Sequence, residues 1–281
     1  MHHNDADGRA SGAIVRRALG PEVALHEINY GDAVPWQKIR ASETVLIVDF
    51  SLTRDDMIAA SQGRQLIWID HHISAIQEMA DFPIALPGLR SLEAAACALC
   101  WQYFFPNMPI PRAVLLISDR DTWSLTEPES GAFAEGLHQK NTKPDNDALW
   151  APLLDDNPTA VTSLIEEGRL LLEARLRAMR RFINAHGFRV SFEGYDTLAV
   201  NRRGDGDMGQ YIRDLGYTLG YCYVDGFQDG KLKTFVTLFS AKVDVSQIAS
   251  KFGGGGHQGA AGFSFDRGNS PFPPGSQVLW P

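Results

Sequence analysis

The segment Leu66-Ile67-Trp68-Ile69-Asp70-His71-His72 limits what this chain can fold into more than any other stretch. Four apolar residues without polar alternation read as a short strand buried on both faces, the pattern of a parallel sheet covered by helices. The strand ends abruptly in a carboxylate and two imidazoles. In open α/β sheets ligands bind just beyond the carboxyl ends of the strands, which makes this end a site candidate. The competing structural reading is an aspartate capping the next helix beside two incidental histidines.

Two more runs end in acid. Thr44-Val45-Leu46-Ile47-Val48 is closed by Asp49, and residues 51–63 that follow read as a helix capped by Ser51 or Thr53. Strand, helix, strand makes a βαβ unit whose right-handed crossover puts the strand ends on one edge, where Asp49 and Asp70 can meet. Ala113-Val114-Leu115-Leu116-Ile117 runs into Ser118-Asp119-Arg120-Asp121-Thr122-Trp123. Periodicity does not decide helix or strand there. One of Asp119 and Asp121 is a candidate ligand and the other its support; the alternative is a solvated turn in which Arg120 pairs with its neighbours.

The chain opens with His3-Asn4-Asp5-Ala6-Asp7-Gly8 ahead of a helix over residues 9–19, ended by Gly20-Pro21. An extended backbone would present Asp5 and Asp7 on one side, with Gly8 allowing a tight turn; an ordinary helix-capping turn is the alternative. Residues 23–28 read as a strand, and the segment leading into His3 is at most a stub. Beyond residue 150 the pattern Val161, Leu164, Ile165, Leu170, Leu171, Leu172, Leu176, Met179 predicts a long helix over 158–186. Strands are expected at 188–192, 197–200, 219–224 and 232–239, with helices at 208–215, capped by Asp207, and 245–252. The domains are then 1–150, a helical connector 151–186, a smaller mixed α/β domain 187–270 and a tail 271–281. Gly253, Gly254, Gly255 and Gly256 precede His257, and successive glycines let backbone N–H groups converge on an anion. Ala260-Ala261-Gly262 would let a following helix pack closely; a flexible loop is the alternative.

At 281 residues with 44% hydrophobic content the chain can build a sizeable core. No apolar run reaches the ~18 residues of a membrane span and no secretory signal opens the chain, so no membrane partner and a cytoplasmic address are expected. A net charge of −8 without Lys/Arg runs argues against coating long duplex nucleic acid, and leaves small phosphorylated substrates open. Three cysteines make no disulfide framework and read as buried apolar residues.

Taken together, His3-x-Asp5-x-Asp7-Gly8, Asp49, Asp70-His71-His72, Asp119 and the distant Gly-Gly-Gly-Gly-His resemble the DHH phosphoesterase superfamily, in matching order across essentially the whole chain. The form His-Asn-Asp-x-Asp-Gly with Ser-Asp-x-Asp-x-Trp is most similar to its nanoRNase B-like branch of oligoribonucleases and cyclic-nucleotide phosphodiesterases. The resemblance implies a parallel-sheet α/β DHH domain joined by a long helix to a smaller mixed α/β domain, with the active site in the interdomain cleft. It implies two divalent cations, Mn²⁺ before Mg²⁺ or Co²⁺: His3 and Asp5 on the first, Asp7, His71 and Asp119 on the second, and Asp49 bridging. His72 would face the substrate phosphate, Asp70 would orient the histidines, and Gly253, Gly254, Gly255, Gly256 and His257 would hold a phosphate or terminal nucleotide. The donor set agrees on chemical grounds, since hard oxygens with imidazole suit Mn²⁺ better than a thiolate-rich zinc site. Leu238-Phe239-Ser240 departs from the Leu-Arg-Ser of many relatives, leaving Arg9, Arg120, Arg202 and Arg203 as unranked substitute cations. The substrate expected is a short oligonucleotide or small cyclic nucleotide, with a nucleotide monoester, a bare diphosphate or a non-hydrolysing sensor as alternatives. The sequence is also compatible with a homodimer.

Overall fold

The computed structural model describes residues 1–40 and 43–280. They form two compact units, Met1–Leu172 and Glu173–Pro281, divided inside the long helix, within the segment 151–186 read as a connector. Unit 1 contains α1 (Ala6–Leu19), β1 (Val45–Val48), α2 (Arg54–Ser61), β2 (Leu66–Ile69), α3 (Ile73–Glu78), α4 (Ala96–Phe104), α5 (Arg112–Asp121), α6 (Ser130–His138), α7 (Asp147–Leu154) and the first half of α8 (Pro158–His186).

β1 and β2 pair in parallel from Val45↔Leu66 to Val48↔Ile69. Their apolar runs have no polar alternation because both faces are covered. Val45, Ile47, Leu66 and Trp68 pack with Met57 and Ala60 of α2 and Ala75 of α3, whereas Val48 and Ile69 pack with α1, α4 and α5. Single bridges widen this sheet: His2 pairs in parallel with Val48 and with Glu27, and Asp70 with Arg90. Five extended segments therefore lie abreast, so that His3, Asp49 and His71 leave neighbouring segments at the same edge. The strand expected over 23–28 is reduced to that one bridge, flanked by the bonds His2 N→His26 O and Ile28 N→His2 O, each 3.0 Å. The run 113–117 is helical, in α5. The helix expected from residue 9 begins at Ala6, because Asp5 accepts the Gly8 N–H at 2.9 Å and caps it.

Unit 2 adds β3 (Phe188–Phe192), β4 (Tyr195–Val200), α9 (Gly206–Asp214), β5 (Leu219–Gln228), β6 (Lys231–Phe239), α10 (Val245–Lys251), β7 (Gly255–His257), β8 (Ala260–Asp266) and β9 (Val278–Leu279). The strands make one sheet in the order β7-β8-β6-β5-β4-β3-β9, with β4 and β5 parallel and the other pairs antiparallel. Met179 and Ile183 of α8 pack with Met208 and Ile212 of α9 on one face; Val245 and Ile248 of α10 and Phe272 pack on the other.

Four expectations change here. Asp205, not Asp207, caps α9 by accepting the Met208 N–H at 2.9 Å, while Asp207 pairs with Arg175 at 2.5 Å. The N–H groups of Gly253 and Gly254 do not converge on an anion; they bond to Ser250 O at 3.1 Å and Ala249 O at 3.0 Å, closing α10. No helix follows the glycine run, because Gly255–His257 and Ala260–Asp266 form a hairpin on the sheet. Residues 271–280 are not a free tail: β9 pairs with β3, and Phe272 is buried. No helix among the described residues is long and apolar enough to cross a membrane.

Unit 1 depends on one close helix crossing, where a Cβ on Gly168 of α8 would overlap Ala132 O and the Gly136 nitrogen of α6. Gly168→Ala should cost about 1–3 kcal/mol through forced separation of these helices. Gly63→Ala, with open space around it, should shift stability by less than ~0.5 kcal/mol. Urea melts of the two variants check the contrast, and equal midpoints would refute it.

Candidate metal centre

The edge where the parallel segments end gathers six side chains. His3 follows the first bridged segment, Asp49 follows β1 and His71 follows β2, while Asp5 and Asp7 come from the start of α1 and Asp121 from the end of α5. Their ligand atoms form two groups, His3-Asp5-Asp49 and Asp7-His71-Asp121, and His72 joins Asp49 and His71 in a third, each within 4.8 Å. Around His71 Nε2 lie Asp121 Oδ2 at 3.2 Å, Asp49 Oδ1 at 3.3 Å and Asp7 Oδ2 at 3.6 Å. His3 Nδ1 lies 2.6 Å from Asp5 Oδ2 and 3.7 Å from Asp49 Oδ2. Asp49 thus stands between the two halves. Its backbone takes φ +54°, a left-handed conformation that costs energy in a non-glycine residue.

Other bonds aim these groups. Asp7 accepts the Ala96 N–H on Oδ2 at 2.8 Å and the Cys97 N–H on Oδ1 at 2.7 Å, so the first turn of α4 fixes its carboxylate. Asp70 points its Oδ1 at the His71 N–H (2.8 Å), the His72 N–H (3.3 Å) and His72 Nδ1 (2.7 Å), holding both imidazoles from behind. Asn29 Oδ1 sits 3.2 Å from His3 Nε2, which leaves Nδ1 facing the acids.

The electrostatics are those of a place built for a cation. Burial, then the charges of Asp7, Asp5 and Asp121, push Asp49 well above the usual carboxylate range. Burial and the same neighbours Asp7 and Asp5 do so for Asp121. Burial lowers His71 and favours its neutral, metal-ligating form. Burial works against Asp5, but hydrogen bonds from His3 and the Gly8 N–H outweigh it and hold it at about 2. Asp49 Oδ2 and His71 Nε2 are buried without any hydrogen-bond partner. Unpaired buried polar atoms are expensive, and these two in the middle of the cluster are what a divalent ion would satisfy. The residues present fit such ions.

Asp119 is not among the six. α5 turns ~100° per residue, so Asp119 and Asp121 point to opposite sides, where a strand would have put them on one. Asp119 Oδ1 accepts Thr126 N–H (2.7 Å), Thr126 O–H (2.8 Å) and Glu127 N–H (3.1 Å), tying down the loop after α5. Burial raises its pKa, yet bonds from Ser130, Thr126 and Glu127 bring it below the usual value. Gly253, Gly254, Gly255, Gly256 and His257 lie in unit 2, and His257 belongs to none of the three groups. Sequence reasoning missed Asn29, Tyr30 and Phe50. The Tyr30 ring lies 5.7 Å from the His3 ring and 4.7 Å from that of Phe50, and burial with the charges of Asp70 and Asp49 pushes its phenol up to about 12. Nothing periodic marks these residues; Asn29-Tyr30-Gly31-Asp32 reads as a turn.

A folded-state carboxylate pKa above its unfolded value means that the native protein holds protons the unfolded chain has lost, so metal-free stability falls as pH rises through that window. A divalent ion displaces those protons, and its stabilisation grows in the same direction. Thermal melts with and without MnCl₂ should therefore show a larger upward shift at pH 8 than at pH 5.5; equal shifts would refute the assignment. Asp121→Ala should lower bound Mn²⁺ by about one ion per chain, while Asp119→Ala should keep the ions and cost about 1–3 kcal/mol of stability. Elemental analysis and urea melts separate the two.

No model of a known protein family matches the chain. An uncharacterized protein of Acanthamoeba polyphaga mimivirus is 28% identical over 250 residues, covering 84% of this chain, which spans only 56% of that protein. Among solved structures, a pGpG-specific phosphodiesterase, PggH, of Vibrio cholerae superposes with TM-score 0.54 at 12% identity, over 95% of this chain and 94% of that one. The DHH domain of a member of a family of ribosomal proteins gives TM-score 0.53 at 15% identity, over 93% and 81% of the chains. Both units, with the parallel sheet of the first and the larger mixed sheet of the second, have the fold of DHH-domain proteins.

Proposed function

We propose that this chain is a metal-dependent phosphoesterase of the DHH superfamily, a phosphodiesterase that releases nucleoside monophosphates from short oligonucleotides or opens a small cyclic nucleotide. The observation that carries the reading is the pair of buried, unpartnered atoms Asp49 Oδ2 and His71 Nε2 amid Asp5, Asp7 and Asp121. Divalent cations, Mn²⁺ by this donor set, would be held by His3, Asp5 and Asp49 on one side and Asp7, His71 and Asp121 on the other. When bound there, such ions would supply activation of a water and charge stabilisation for the leaving oxygen of a phosphoryl displacement. A phosphodiesterase of the same fold, PggH, supports this choice of reaction.

The chain's own residues position and protonate. The Asp70 hydrogen bond, against the pull of burial, raises the pKa of His72, and its 2.7 Å length fixes the Nδ1 side of the ring. Nε2 of His72 is then the end left to hold a proton toward a phosphate oxygen or the departing hydroxyl. The His72 ring, 28% exposed, lies 4.5 Å from the His71 ring, which places it at the open side of the ligands. In unit 2, the glycine-lined strand β7 with His257 is the proposed holder of the terminal nucleotide. Gly255 has open space where a side chain would stand, so substitution there tests substrate capture without disturbing packing.

A fluorescent dinucleotide should be hydrolysed with Mn²⁺ and not after EDTA. Asp49→Ala should lower kcat by more than about 100-fold, since both ions lose a ligand. Gly255→Val should raise KM with bound metal unchanged. Turnover of a nucleotide monoester but not of the dinucleotide or a cyclic nucleotide would reject the diesterase reading, and binding of these ligands without turnover would reject hydrolysis altogether.

A further inference from the structure

Tyr30 stands at the rim of the metal-ligand cluster, and no metal-binding role explains it. Tyr30 as a whole residue is 57% exposed, whereas Phe50, against which its ring packs at 4.7 Å with a 42° tilt, is only 4% exposed. Phe50 also stacks on the His3 ring, with 6.2 Å between centroids and 21° between planes. One side of Tyr30 is therefore backed by a buried ring and adjoins a ligand histidine, and much of the rest is open.

The backbone on both sides of the ring pair is hydrogen-bonded. Asn29 N–H donates to Asp32 Oδ2 at 2.9 Å, Asp32 N–H to Asn29 O at 3.0 Å, and Tyr30 N–H to Asn29 Oδ1 at 2.8 Å. Beneath, Trp68 Nε1–H donates to Phe50 O at 3.0 Å. An aromatic side chain on a hydrogen-bonded turn, packed against a buried ring, has less freedom to lose when a planar ligand covers it. Scattered exposed apolar side chains are ordinary on protein surfaces. This one lies edge-on to the His3 ring, beside the groups of side chains that could hold cations. A bare phosphate or diphosphate would give the ring nothing to bind, whereas every nucleobase has a face to stack on it.

We infer that the Tyr30 ring is the stacking surface for a nucleobase of the substrate next to the scissile phosphate. This rests on the phosphodiesterase reading and narrows its substrates to those with a base beside the metals.

The test is equilibrium binding of adenosine 5′-monophosphate and of ribose 5-phosphate to the full chain loaded with Mn²⁺, for the unaltered protein and for Tyr30→Ala, Tyr30→Phe and Tyr30→Trp. Tyr30→Ala should weaken the nucleotide by about 5- to 100-fold, the usual yield of one base–aromatic stack, and ribose 5-phosphate by less than about twofold. Phe and Trp at this position should retain base-dependent binding, and bound Mn²⁺ by elemental analysis should be the same in all four proteins. Equal weakening of both ligands, or loss of Mn²⁺, would show that Tyr30 merely supports His3 and would overturn the inference. So would unchanged nucleotide binding in Tyr30→Ala, or no preference for the nucleotide in the unaltered protein. Base-dependent binding through Tyr30 without Mn²⁺-dependent cleavage of a dinucleotide would instead reject the phosphodiesterase reading and leave the stacking surface standing.

Discussion

Three carboxylate oxygens, from Asp121, Asp49 and Asp7, crowd within 3.2 to 3.6 Å of His71 Nε2. Like charges this close repel far more strongly in a protein interior than in water. Burial and these neighbouring carboxylates push the pKa values of Asp49 and Asp121 well above the usual carboxylate range. Much of the surrounding structure makes the crowding unavoidable. Parallel segments deliver His3, Asp49 and His71 to one edge, the first turn of α4 clamps Asp7, and the end of α5 brings Asp121 in from the side. Asp49, at the centre of this edge, also holds an unfavourable left-handed φ of +54°. Relaxing any of these would relieve the repulsion and disperse the ligands.

Several residues serve both fold and site. Asp5 caps α1 through Gly8 while meeting His3, and Asp7 satisfies two N–H groups of α4 while facing His71. A capping role and a ligand role do not compete for these side chains, since a carboxylate has lone pairs for both. Asp70, fully buried, contributes no atom to the three ligand groups; its oxygen organises His71 and His72. Removing such a residue would disturb local structure and chemistry together, so metal counts and stability need to be measured side by side.

The fold is legible in the sequence where a helical period, or a strand–helix–strand order of apolar runs and cap signals, marks the element. The two apolar runs ending at Asp49 and Asp70, the crossover helix between them and the long helix α8 all carry burial patterns that a single chain displays. The run 113–117 is a similar apolar stretch without a strand–helix–strand context around it, so it fits a buried strand as well as a helix. That ambiguity leaves Asp119 and Asp121 equal candidates and only the resemblance favours Asp119, whereas the helix puts Asp121 in the cluster. The glycine run hid a helix cap followed by an edge strand, since glycine has no side chain to show alternation. Asn29 and Tyr30 lie in an irregular turn whose partners, His3 and Phe50, are brought near only by tertiary structure. The short strand at Val278–Leu279 gains its identity from pairing with β3, which nothing in its own two residues announces.

The central claim is that these side chains cage a pair of cations with Asp49 between them. A crystal structure of the protein grown with MnCl₂, with data collected on the manganese absorption edge, tests it directly. The account predicts two anomalous peaks about 3.5–4 Å apart, one beside His3 and Asp5, the other beside Asp7, His71 and Asp121, with Asp49 touching both. A single peak, or peaks remote from Asp49, would contradict it.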